Sequence, residues 1–203
     1  MKSLVATAFL LCSLSISICL PTQASASVTD EVKRVVDEVV RIVANPELNK
    51  PQKEAQRRQM LRTTISRIFD FAEMAQRSLA THWKERTPGE RKEFVSLFQT
   101  LLENSYSGKI EGYHNEKIVY LGESVDGDHA EVKSKVIAPK GDEYSLDYRL
   151  ANKGGKWMVY DVVIEGVSLV SNYRGQFNRI INSQGYPGLL KKLRAKSEEI
   201  KAP

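Results

Sequence analysis

From residue 28 onward, apolar side chains recur at three- and four-residue intervals: Val28, Val32, Val35, Val36, Val39 and Val43. This spacing predicts a helix over 28–44 with one apolar stripe. Asp30 and Glu31 suit its first turn, where the macrodipole favours negative charge, and Asn45-Pro46 ends it. A second helix is predicted from Pro51, with Leu61, Ile65 and Ile68 as its stripe. Asp70 and Glu73 have the spacing of a capping box and restart the chain as a short helix carrying Phe71, Met74, Ala75 and Leu79. The strongest local signal is Thr87-Pro88-Gly89-Glu90: a cap, a proline at the first helical position, and a glutamate placed to reach back. The helix it opens carries Phe94, Leu97, Phe98, Leu101, Leu102 and Tyr106, and Gly112 is its expected end.

Between Lys117 and Ile164 the period changes to two. Ala130, Val132, Ser134 and Val136 alternate with Glu131, Lys133 and Lys135. Tyr144, Leu146, Tyr148 and Leu150 alternate with Ser145, Asp147 and Arg149. Asp126-Gly127, Pro139-Lys140-Gly141 and Asn152-Lys153-Gly154-Gly155 supply three tight turns. Four strands joined by such short hairpins leave no room for crossover helices, so the sheet is antiparallel, with one apolar face and one wet face. The last strand passes through Gly166 into a helix. Ser168 is its cap, and Leu169, Tyr173, Phe177 and Ile180 have helical spacing. Helices before and after a meander give an α+β class: a four-stranded curved antiparallel sheet with helices packed on its apolar face.

The first residues read as a targeting segment. Lys2 precedes an uncharged apolar run from Leu4 to about Leu20, followed by Ala24-Ser25-Ala26, a small-x-small cleavage signal. Residues 1–26 are therefore expected to be a cleaved secretory peptide. A lipoprotein anchored through Cys19 is the alternative, against which Ile18 stands where a small residue is required. Both cysteines, Cys12 and Cys19, lie in this segment, so the remainder rests on its hydrophobic core without disulfides. Residues 27–203 suit one domain. Losing Lys2 lowers the formal charge from +5 to +4, too mild to indicate nucleic acid. The basic residues crowd toward the end, at Lys191, Lys192, Arg194, Lys196 and Lys201. They make either a solvated helix face or a surface attractive to anionic lipid or an acidic partner.

Candidate chemistry is sparse. His82, His114 and His129 have no second ligand at metal spacing. There is no phosphate-binding glycine loop and no G-x-S-x-G elbow, and with both cysteines in the expected leader the remainder has no thiol nucleophile. Asp161 is the one carboxylate inside an apolar strand. It is either a structural partner for a backbone amide or an arginine such as Arg174, or a general base in a pocket. The latter would make the chain a small isomerase- or dehydratase-like enzyme. The apolar stripes themselves read as core, and spacing cannot tell a filled interior from a hollow one.

Three blocks carry a resemblance: FDFAEMAQRSLATHW (69–83), TPGERKEFVSLFQTLLENSY (87–106) and WMVYDVVIEGVSLVSNYRGQF (157–177). Together they resemble the MlaC, or toluene-tolerance, family of periplasmic phospholipid-binding proteins, the last block most specifically. One departure is Ala80, where the family often has glycine after the leucine. The resemblance implies a hydrophobic pocket between sheet and helices that holds phospholipid acyl chains. Its implied walls are Phe71, Met74, Leu79, Trp83, Phe94, Phe98, Leu101, Leu102, Tyr106, Tyr148, Val163, Val167, Leu169, Tyr173 and Phe177. It also implies a monomeric periplasmic carrier without catalysis or cofactor. The partners would be phospholipid, an outer-membrane lipoprotein complex and an inner-membrane ABC transporter complex, and the outcome outer-membrane lipid asymmetry. On this reading Arg57, Arg58 and Arg62 approach the phosphate or simply form a solvated face. A docking protein with a packed core and no ligand is the remaining alternative.

Overall fold

The computed structural model describes residues 27–198. The expected leader over 1–26, with both cysteines, and Lys201 lie outside the described residues.

Helix α1 spans Val28–Val43 and opens with a capping box: Ser27 Oγ accepts from the Asp30 amide, and the Asp30 carboxylate accepts from the Ser27 amide. Its N-terminus meets the sheet through Glu123, which accepts from the Thr29 amide at 2.6 Å and from the Thr29 hydroxyl at 2.5 Å. A carboxylate there satisfies first-turn donors and matches the helix dipole. The second helix starts later than expected. Pro51–Lys53 is a 3-10 turn, and α2 runs Glu54–Ile65. Ile68 therefore falls beyond α2 and is no part of its stripe. Its carbonyl accepts from the Val159 amide, while the Asp70 amide donates to the Val159 carbonyl, so 68–70 lies as a short parallel bridge along the sheet.

Helix α3 spans Phe71–Leu79, capped by Asp70, which accepts from the Glu73 amide at 2.9 Å. The Glu73 carboxylate does not reach back as a capping box requires; it holds Arg77 at 2.9 Å and Lys153 at 3.1 Å. Helix α4 spans Pro88–Glu111, with the Thr87–Glu90 capping box complete and Gly112 at its end.

The sheet contains β1 (Lys117–Asp126), β2 (His129–Ile137), β3 (Glu143–Lys153), β4 (Lys156–Ile164) and β5 (Val167–Ser168), antiparallel in the order β1-β2-β3-β4-β5. The expectation of four strands misses β5. Glu165 and Gly166 both take positive φ (49° and 74°), and this tight turn folds two residues back onto β4. Two residues are too short to show a period. Irregularities at Tyr120/Gly122 and at Arg149/Leu150 interrupt the pairing register and bend their strands. Helix α5 spans Leu169–Glu198 and bends at Gly185. The Ser168 hydroxyl caps it by accepting from the Ser171 amide at 3.0 Å.

Helix α1 lies over β1 and β2, whereas α3 and α5 pack against β4 and against each other, with α4 beside them. The apolar interior divides accordingly. One cluster lies among α3, α4 and α5; the other lies between α1 and the apolar face of the sheet. A small third cluster joins the end of α1 to α2 through Ile42, Val43, Leu48 and Leu61.

Candidate functional site

The residues expected to line a pocket distribute unevenly between these clusters. Met74, Leu79, Phe94, Phe98, Leu102, Tyr173 and Phe177 are all buried in the helix cluster. Phe71, Trp83, Leu101 and Tyr106 are partly buried against it. Its centre is aromatic: Phe98 meets Tyr173 edge-on at 5.4 Å and Phe177 at 5.6 Å, and Phe94 meets Phe177 edge-on at 5.6 Å. Edge-to-face contacts at these distances are close-packed. Tyr148 and Leu169 belong to the sheet cluster. Val163 is buried but in neither cluster, and Val167, on the two-residue β5, is 56% exposed.

Two residues join the clusters. Phe69, at the sheet edge, and Tyr106, in α4, pack against both. Between them runs a seam dividing a helix layer from a sheet layer, each apolar on the inner side. Among the described residues each cluster is built from side chains packed on one another. The concavities at the surface lie elsewhere: a shallow charged one beside Asp30, Lys33 and Arg34 on α1, and a polar recess of about 180 Å³ beside His129, Arg149 and Tyr160. At the seam an apolar guest would meet apolar surface on both sides.

Stripe reading alone misses the sheet side of this seam. Val132, Leu150, Val159 and Val162 form its floor, with Ile68 and Phe69 at the edge. The alternation in β2 and β3 already marked Val132 and Leu150 as inward. Phe69 gave no such signal, because it acts through a backbone bridge outside any regular element. The second half of α5 also contributes Tyr186, Leu189, Leu190 and Leu193 to the helix cluster, at and beyond the Gly-Tyr-Pro-Gly run over 185–188.

The polar groups at the seam are tyrosines. Burial pushes the hydroxyls of Tyr106, Tyr120 and Tyr148 above the usual tyrosine range, so they remain neutral donors near pH 7. Arg57, Arg58 and Arg62 are committed elsewhere. Arg57 pairs with Glu111 at 2.5 Å, Arg58 with Glu54 at 2.8 Å, and Arg62 with Glu103. Arg57 and Arg62 clasp α2 to α4, and Arg58 pairs within α2.

Asp161 is 3% exposed and fully engaged. It accepts from the Ser168 hydroxyl at 2.6 Å, the Val170 amide at 3.0 Å and Arg149 at 3.3 Å. Its arginine is Arg149, across the β3–β4 pair, and not Arg174, whose Nε donates to the Arg77 carbonyl. The carboxylate thus fixes the strand-to-helix corner at the start of α5. Among the described residues, no group of three or more His, Cys, Asp or Glu side chains has the arrangement of a metal site.

The fold and the sequence have counterparts among known proteins. A phospholipid-binding protein from Ralstonia solanacearum, solved at 1.53 Å in complex with a phospholipid, superposes with a TM-score of 0.74 at 28% identity, covering 84% of this chain and 96% of that one. The intermembrane phospholipid transport system binding protein MlaC of Haemophilus influenzae is 29% identical over 126 residues, 60% of this chain and 59% of that protein. The toluene tolerance protein ttg2D of Pseudomonas putida is 30% identical over 103 residues, 50% of this chain and 48% of that protein. In these two alignments the chain spans about half the length of the relative. The model of the MlaC protein family matches residues 33–195, which takes in α2 to α4, all five strands and most of α1 and α5. The chain belongs to the MlaC family.

Proposed function

We propose that this protein is a periplasmic phospholipid carrier that takes a lipid from one membrane complex and delivers it to another. The observation that carries the reading is the Ralstonia protein: its fold is matched over 96% of its length, and it holds a phospholipid. Two apolar layers meeting at a seam offer this chain the means to do the same. The acyl chains would lie between the helix cluster and the sheet cluster, with Phe69 and Tyr106 turned aside. Each buried methylene is worth about 0.8 kcal/mol, so a chain of roughly sixteen carbons gains on the order of 12 kcal/mol. That gain offsets the packing lost when the layers part. It also keeps the lipid from crossing water unprotected. Met74, flexible and polarizable, suits a wall that repacks around chains of differing length.

The head group stays in water at the mouth. The donor and acceptor are an outer-membrane lipoprotein complex and an inner-membrane ABC transporter, visited by a monomeric carrier whose traffic maintains outer-membrane lipid asymmetry. Among the described residues no helix is long and apolar enough to cross a membrane. The exchange is binding and release without covalent chemistry. Asp161, the basis of the enzymatic alternative, already accepts from three groups that hold the fold.

Mass spectrometry of an organic extract of the protein, purified from the periplasm without detergent, tests this. Near-stoichiometric phospholipid is expected, and Asp161→Asn should lower stability without lowering lipid per folded molecule. An extract free of phospholipid, or turnover of a small apolar substrate lost in Asp161→Asn, would overturn the reading.

A further inference from the structure

Tyr120 lies on β1, opposite Ser134 of β2, with its ring packed against the sheet cluster that Tyr106, Leu146 and Ile164 also border. Its hydroxyl is buried and has no hydrogen-bond partner among the described residues. Buried hydroxyls are nearly always paired, so one left over at the edge of an apolar seam points to a partner the protein itself does not supply. The neighbours do not need it. The Ser134 hydroxyl donates to the Leu146 carbonyl, and the Ser134 amide donates to Asp147 at 3.0 Å.

The chemistry of the missing partner is constrained. The buried hydroxyl has an O–H to donate and nothing among the described residues to receive it, so an acceptor satisfies it. An uncharged partner suits it, because the hydroxyl is buried against apolar side chains, where a charge would be costly to desolvate. Its depth is also set. On the same face Tyr144, paired with Val136, is 41% exposed and marks the water side. The Tyr120–Ser134 row lies two residues further in, about 7 Å. A phospholipid with its phosphate in water and its chains in the seam places one kind of neutral acceptor just inside the water boundary: the carbonyls of its acyl esters.

We propose that Tyr120 donates a hydrogen bond to an acyl-ester carbonyl of the bound phospholipid and so favours ester-linked over ether-linked lipid. This rests on the carrier reading above. An ether-linked lipid of the same length fills the seam but offers no carbonyl, so the hydroxyl stays unpaired. One neutral hydrogen bond corresponds to about a fivefold preference.

The test loads the purified protein from vesicles containing equal amounts of diester and diether phosphatidylethanolamine of matched chain length, then measures both in the protein's extract by mass spectrometry. The diester is expected in about fivefold excess in the native protein, and the ratio should fall to near one in Tyr120→Phe. A ratio near one in the native protein, or an undiminished ratio in Tyr120→Phe, overturns the inference while leaving the carrier intact. Uptake of neither lipid by the folded native protein overturns the carrier reading itself, and this inference with it.

Discussion

Ala80 shows what a single substitution does to a turn. It ends α3 with φ 49° and ψ −120°, a conformation that favours glycine. The identity of the residue was plain in the sequence, but its conformation was not, since a helix end reveals its φ only in three dimensions. Ala80 is exposed, so no packing contact rewards the strain. Ala80→Gly should therefore stabilise the protein by about 1 kcal/mol, read as a higher urea midpoint at unchanged m-value. At Asp70, burial alone would raise the carboxyl's pKa. The hydrogen bond from Lys153 at 2.5 Å and the amides of Glu73 and Ala72 outweigh that and hold it below the usual carboxylate range. Lys153 is raised in turn, chiefly by its hydrogen bond to Asp70. The acid's contribution to stability is thus present above its unfolded pKa near 4 and lost as pH falls through the lower folded value. The amine's contribution is present below about pH 10 and lost as pH rises through its raised value. Lys153→Met should lower Tm most between about pH 5 and 10 and much less near pH 2.

Among the elements, those with chemical punctuation were legible and those defined by long-range contact were not. Thr87-Pro88-Gly89-Glu90 specified the start of α4 to the residue, because both halves of a capping box are local. The three hairpins followed from Gly127, Gly141 and the Gly154-Gly155 pair, all with positive φ. Ile68 was placed on a helix by its spacing, yet its backbone is taken by Val159, ninety residues away in sequence. The alternation of β2 and β3 located the sheet side of the seam, while Phe69 needed the bridge to be seen. Helix α5 hides a further feature. Gly185 has φ 69° and ψ 172°, a region essentially closed to other residues, and it joins two helical stretches that both feed the helix cluster. A Cβ there would meet the Pro187 ring at 3.5 Å, an ordinary contact, so the cost of Gly185→Ala is conformational and not steric. A loss of about 1–3 kcal/mol is expected by urea denaturation. An unchanged midpoint would mean that the bend relaxes into a continuous helix.

On the scale of the whole molecule, the interior among the described residues divides into two large apolar clusters and a small third one. A protein that needs only to fold gains nothing from dividing its core. A protein that must open along a plane needs each half to hold together alone. The edge-on rings of Phe94, Phe98, Tyr173 and Phe177 bind the helix layer, and the β2–β3–β4 ladder binds the sheet layer. Phe69 and Tyr106 are the side chains that tie one to the other. We propose that phospholipid enters by separating these layers. A crystal structure of the phospholipid-loaded protein tests it most directly. The account predicts acyl chains between the two clusters, with Phe69 and Tyr106 displaced and the rings of the helix layer still packed as they are here. Lipid held on the outer surface, with Phe69 and Tyr106 still bridging both clusters, would contradict it.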